Sequence, residues 1–171
     1  MPPVAPLARE EALAKLAQRY FTSHGPATVQ DFVWWTGLPV ADARLALQLA
    51  QGSLTSLVVA GNTYWLADAP LPQLPTPQAY LLPGFDEFML GYTDRSAALA
   101  PRHRPLLTPT NGVFSATLVV DGQVVGIWRR TLRKKDVAVE LSPFEPLTAG
   151  QRALLEPALA RYGAYLGLSV V

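Results

Sequence analysis

Thr28-Val29-Gln30-Asp31, Gly37-Leu38-Pro39, Val40 to Gln51 and Leu54 to Leu66 follow one another almost without interruption, and their order decides the fold. Thr28, with Asp31 three residues on, has the spacing of a helix N-cap. Phe32, Val33, Trp35 and Leu38 supply the apolar face behind it, and Gly37-Leu38-Pro39 ends the helix. Pro39 suits the first turn of a new helix, in which Ala43, Leu45, Ala46, Leu47 and Leu49 form an apolar stripe. Gly61-Asn62 then stands between the strand-like runs Ser56 to Val59 and Thr63 to Leu66, which is hairpin chemistry. Helix, turn, helix and hairpin in this order predict a winged helix-turn-helix with the hairpin as its wing. Such a module has a nucleic-acid-binding ancestry and also serves as a plain scaffold.

Working outward, Leu13, Leu16, Ala17, Tyr20 and Phe21 recur at helical spacing upstream, and His24-Gly25-Pro26 stops that helix. Downstream, Pro70, Pro72, Pro75 and Pro77 fall within Asp68 to Gln78, so an extended, stiff linker is predicted. The domain reading is a winged helix-turn-helix over 1–69, a proline-rich linker over 70–78, and a strand-rich domain over 79–171. In the last, Tyr80-Leu81-Leu82 reads as a strand. Phe114 to Val120 and Gln123 to Thr131 flank Asp121-Gly122, the dipeptide of a tight type I′ turn. Val137 to Leu141 follows the polar turn Arg133-Lys134-Lys135-Asp136. Val124, Val125, Ile127 and Trp128 make both faces of the middle strand apolar, which predicts a small antiparallel β-barrel or a curled sheet covered by a helix. Thr148 and Gln151 form a capping box for a C-terminal helix carrying Leu154, Leu155, Ala158, Tyr162 and Leu166. Pro157 is expected to kink or divide that helix, and Leu168 to Val171 to add a short strand. The fold class is α+β.

Composition narrows the function. The chain has 171 residues, 50% of them hydrophobic, and 14 Lys and Arg against 13 Asp and Glu. A net charge of +1 falls short of the basic excess of a tight autonomous DNA binder. Contact with nucleic acid must therefore come from a local patch. Cysteine is absent, which excludes disulfides, thiolate metal sites and cysteine nucleophiles. No stretch approaches the about 18 uninterrupted apolar residues of a membrane helix, and the first residues carry no signal-peptide run, so a cytoplasmic protein without membrane contact is expected. His24 and His103 stand far apart with no companion ligands, so no metal and no cofactor is expected.

Two sets of motifs carry a family resemblance. His24-Gly25-Pro26-Ala27-Thr28, Asp31-Phe32, Trp34-Trp35, Gly37-Leu38 and Ala43-Arg44 make the first. Leu82-Pro83-Gly84-Phe85-Asp86, Leu90-Gly91-Tyr92, Asp94-Arg95-Ser96, Val120-Asp121-Gly122 and Gly126-Ile127-Trp128-Arg129 make the second. In this order they resemble the winged-helix family of AlkZ-like bacterial DNA glycosylases, over nearly the whole chain and corresponding to the C-terminal half of its members. The resemblance implies winged-helix units ending in a β-barrel, in proteins that excise alkylated bases or unhook DNA crosslinks. It also implies double-stranded DNA as partner, bound weakly by this chain alone, and a preceding winged-helix portion as a further partner. The family's catalytic signature is glutamine, one apolar residue, then glutamine or aspartate. The glutamines here stand at 18, 30, 48, 51, 73, 78, 123 and 151, and none has Gln or Asp two positions later. No catalytic residue is carried over, and the isolated chain is expected to bind without excising.

The candidate DNA-binding residues are Arg129, Arg130, Arg133, Lys134, Lys135, Arg44 and Arg95. Alternation puts Arg129 and Arg130 on opposite faces of a strand, whereas Arg133 to Lys135 share a turn. That run reads either as a phosphate-contacting patch or as a charged edge that blocks strand pairing. Trp128 beside it is a base-stacking candidate or a core residue. In the predicted recognition helix Arg44 is the lone cation, beside Asp42, and Met1 to Pro70 holds four basic residues against five acidic ones. Asp86, Glu87, Asp94 and Arg95 make either a polar site or helix caps and a turn. Three functions follow: a DNA-repair-associated binding module, half of a split glycosylase, or a winged-helix interaction protein or regulator without glycosylase chemistry.

Overall fold

The computed structural model describes residues 6–70, 78–107 and 113–171. Of the proline-rich stretch 70–78, Pro72, Pro75 and Pro77 lie outside the described residues. The chain forms two compact units, Met1–Pro72 with Leu90–Asp94, and Gln73–Met89 with Arg95–Val171.

In the first unit α1 (Arg9–His24), α2 (Val29–Thr36) and α3 (Val40–Ala50) precede the hairpin β1 (Leu54–Val59) and β2 (Asn62–Ala67). Tyr20, Phe21, Phe32, Ala43, Ala46 and Leu47 of the three predicted helix faces are buried together in one core, whereas Trp35 and Leu49 of those faces are exposed. Thr28 and Asp31 close a full capping box on α2, and Gly37 ends it in the left-handed conformation. The hairpin turn differs from the predicted Gly61-Asn62. Asn62 pairs with Val59, and Ala60 and Gly61 take φ 48° and 80°. A type I′ turn needs two positive φ angles, and placing Gly61 second leaves Asn62 to begin the ladder.

The second unit contains β3 (Ala79–Leu82), the short helices α4 (Glu87–Leu90) and α5 (Arg104–Leu107), β4 (Thr117–Val120), β5 (Gln123–Leu132), β6 (Asp136–Pro143), α6 (Ala149–Leu166) and β7 (Ser169–Val170). Leu90 itself falls in the first unit. The sheet runs β3-β4-β5-β6-β7, antiparallel except for the parallel β6–β7 pair. Asp121 and Gly122, φ 49° and 75°, make the β4–β5 turn. The ladder shifts register between Leu118 and Val119, so that Val119 faces Val124 and Leu118 faces Gly126, leaving Val125 as the extra residue of a bulge. A bulge bends a strand and deepens its twist, and here it curls the sheet into a half-barrel around α6. Ala79, Leu118, Val120, Leu155 and Ala158 are buried between sheet and helix. Pro157 does not divide α6, which runs as one 18-residue helix from the Thr148–Gln151 capping box to the left-handed Gly167. Leu155 and Ala158 on either side of the proline are both buried, so packing holds the helix across the missing N–H.

Candidate nucleic-acid interface

The β5–β6 hairpin closes where Leu132 pairs with Val137 and the Arg133 N–H donates to the Asp136 carbonyl at 2.9 Å. Between them Arg133, Lys134 and Lys135 are all exposed. Arg133 Nη1 lies 3.4 Å from Asp136 Oδ1, an exposed contact that holds the guanidinium only loosely. The turn thus presents three adjacent cations to solvent, with one carboxylate at its base.

Arg129 and Arg130 part as strand alternation requires. Arg130 shares a face with Trp128, donates to the Tyr162 hydroxyl, and sets its guanidinium 5.9 Å from the Tyr162 ring centroid. Arg129, exposed, stands across the ladder from Glu140. Trp128 is 6% exposed, packs edge-on against Tyr162 and donates from Nε1 to the Leu82 carbonyl at 2.8 Å, so it belongs to the core.

Arg95 is half-buried. Its Nε donates to the Met89 carbonyl and its guanidinium lies 5.6 Å from the Phe114 ring centroid. Burial, and then the charge of Arg104, pulls its pKa below the usual arginine value. A cation already held by a ring and a carbonyl differs from the exposed ones of the turn. Arg44 is exposed on α3. Beside it, Arg9 Nη2 meets Asp42 Oδ1 at 2.7 Å, a pairing across 33 residues that no local pattern announces. It offsets the acid at the start of α3.

The residues that carry the first set of motifs do structural work. Asp31 Oδ2 accepts from the Thr28 N–H at 2.9 Å and the Thr28 hydroxyl at 2.7 Å. Its Oδ1 accepts from the Thr93 N–H at 2.8 Å and the Thr93 hydroxyl at 2.7 Å. Burial opposes the charge, but these bonds from Thr28 and Thr93 outweigh it and hold the carboxyl below the usual aspartate range. The same segment is gripped along its length: Trp34 Nε1 donates to the Leu90 carbonyl at 2.9 Å, the Tyr20 hydroxyl to the Gly91 carbonyl at 2.9 Å, and the Tyr92 hydroxyl to the His24 carbonyl at 2.8 Å. His24 stacks on Tyr20, centroids 4.6 Å apart. A β-carbon on Gly25 would come within 2.7 Å of Leu66 Cα, so only glycine fits there.

Asp86 caps α4 by accepting from the Phe88 N–H at 2.9 Å. His103 packs against Phe144, with Nε2 3.5 Å from Glu145, whose carboxylate also takes Arg102 at 2.8 Å. The Arg102 hydrogen bond, with the charges of Arg102 and His103, holds that exposed carboxyl below its usual range. Among the described residues no helix is long and apolar enough to cross a membrane.

The chain thus consists of two α+β units, the second built on a curled five-stranded sheet with a C-terminal helix. The model of the DNA glycosylase AlkZ-like family matches residues 1–165, and the chain belongs to that family. An interstrand DNA cross-link repair glycosylase of Streptomyces sahachiroi is 31% identical over 128 residues, 70% of this chain. The solved structure of the Streptomyces sahachiroi DNA glycosylase AlkZ superposes with a TM-score of 0.77 at 25% identity, covering 98% of this chain. The match spans 34% of the first relative and 47% of the second.

Proposed function

We propose that this chain is a DNA-binding, DNA-repair-associated module, in which the first unit is a winged helix-turn-helix and the second delivers the main phosphate contacts through the β5–β6 turn. The observation that carries this reading is the run Arg133, Lys134 and Lys135, exposed together at a hairpin tip in a chain of a DNA glycosylase family. Three cations at one tip can follow one backbone, and such contacts position a protein without reading sequence. Arg129 extends the same basic hairpin. Arg44, with Arg9 held by Asp42, gives α3 a lesser share.

Changing Arg133, Lys134 and Lys135 together to Ala is expected to weaken duplex binding equally on unrelated sequences and to flatten its salt dependence. Each lost phosphate contact lowers the log–log slope by about 0.9, for a total of about 2.7. Arg44→Ala is expected to do less. Titrations of labelled duplex at several salt concentrations decide it: an unchanged slope in the triple variant leaves the turn a solvated strand edge.

Chemistry is a separate question from contact. The glutamine pair of the family signature has no counterpart among the glutamines of this chain, so we infer binding without base excision. Incubating the chain with duplex DNA carrying methylated purines is expected to release no free base above a protein-free control. Release would require another polar pair and would make Asp86 and Asp94 the first residues to mutate.

A further inference from the structure

Tyrosines and arginines from β3, β5 and the last turns of α6 lie beside one another. Arg161 donates to the Ala79 carbonyl at 2.7 Å and sets its guanidinium 5.9 Å from the Tyr80 ring centroid. Arg130 donates to the Tyr162 hydroxyl and sets its guanidinium 5.9 Å from the same ring's centroid. Tyr165, one helical turn beyond Arg161 and Tyr162, is 84% exposed. Two adjoining cavities, of about 500 and 210 Å³, run along these side chains and share Leu81 and Tyr162. Arg129, Arg130 and Arg161 line them, and no carboxylate does among the described residues.

This is the chemistry of an unpaired strand. Planar rings give stacking faces that tolerate any base, and guanidiniums take phosphate oxygens. Arg130 is already aimed: one of its five N–H donors goes to Tyr162, which orients the plane without consuming it. A largely exposed tyrosine at the mouth of a cation-lined cleft has little to contribute to folding and a free face to contribute to a base. We propose that this cleft binds single-stranded DNA, with a base stacked on Tyr165 and an adjoining phosphate on Arg130. The proposal rests on the DNA-binding reading above, but uses a different surface from the hairpin tip.

The test is a titration of the full chain with a fluorescein-labelled oligothymidylate and, separately, with a duplex. Tyr165→Ala is expected to weaken single-strand binding about tenfold, the loss of one stacked base, and to leave duplex binding unchanged. Tyr165→Phe, which keeps the ring, is expected to restore it. Arg130→Gln is expected to lower the single-strand salt slope by about 0.7. Single-strand binding that is indifferent to Tyr165→Ala overturns the site. Binding of duplex without any of the oligothymidylate overturns it too, while sparing the hairpin-tip reading. Failure to bind either DNA defeats both.

Discussion

Asp31→Ala is expected to cost the first unit about 3 kcal/mol, because it deletes an ionised acceptor and strands part-buried donors. The carboxylate is 4% exposed and takes two hydrogen bonds from Thr28 and two from Thr93. Removing it opens the α2 capping box and releases the segment Leu90–Asp94 from its anchor. Trp34, Trp35 and Trp65 lie in this unit and Trp128 in the other, so urea unfolding followed by tryptophan fluorescence reports mainly on the unit that changes. Acid should mimic the mutation. Asp31 has a folded pKa below its ordinary 3.8, so its stabilisation is complete above that value and disappears as pH falls through the folded pKa. The gap between wild type and Asp31→Ala should therefore narrow as pH falls below about 3.8. A gap that stays undiminished in strong acid would mean that the carboxylate charge contributes nothing.

Trp128→Ala is expected to be more severe in the second unit, at about 4 kcal/mol for an indole removed from a core. The ring is buried against Tyr162, and its N–H reaches the Leu82 carbonyl at 2.8 Å. Trp128→Phe keeps most of the volume and loses the hydrogen bond, for about 1 kcal/mol. Denaturant midpoints of the two variants separate core from interface. Had Trp128 been a base-stacking residue, the alanine variant would fold as wild type and lose only DNA affinity.

What could be read in the sequence was local. Thr28 with Asp31, Thr148 with Gln151, and Asp121-Gly122 are patterns of two to four residues whose geometry is fixed by the backbone bonds they satisfy. Asp31 also shows where such reading stops. Its Oδ2 serves the cap, but its Oδ1 serves Thr93, 62 residues away, and a cap pattern carries no information about the second oxygen. Arg95 illustrates the same limit for a candidate site residue: in sequence it is a cation beside Asp94, and its burial over Phe114 is settled only by tertiary packing. The Val125 bulge is equally silent, since one extra residue in an apolar run leaves the alternation ambiguous. Conversely, Arg133 to Lys135 could be located because a turn between two strands has no core to enter.

Duplex DNA is proposed to lie at that turn, and the absence of cysteine makes a direct probe available. A single cysteine introduced by Lys134→Cys, labelled with a photoreactive benzophenone, should crosslink to duplex DNA efficiently at low salt and lose the crosslink as salt rises. The same label introduced by Arg44→Cys should crosslink weakly. Strong crosslinking from position 44 with none from position 134 would contradict the account and return DNA contact to α3.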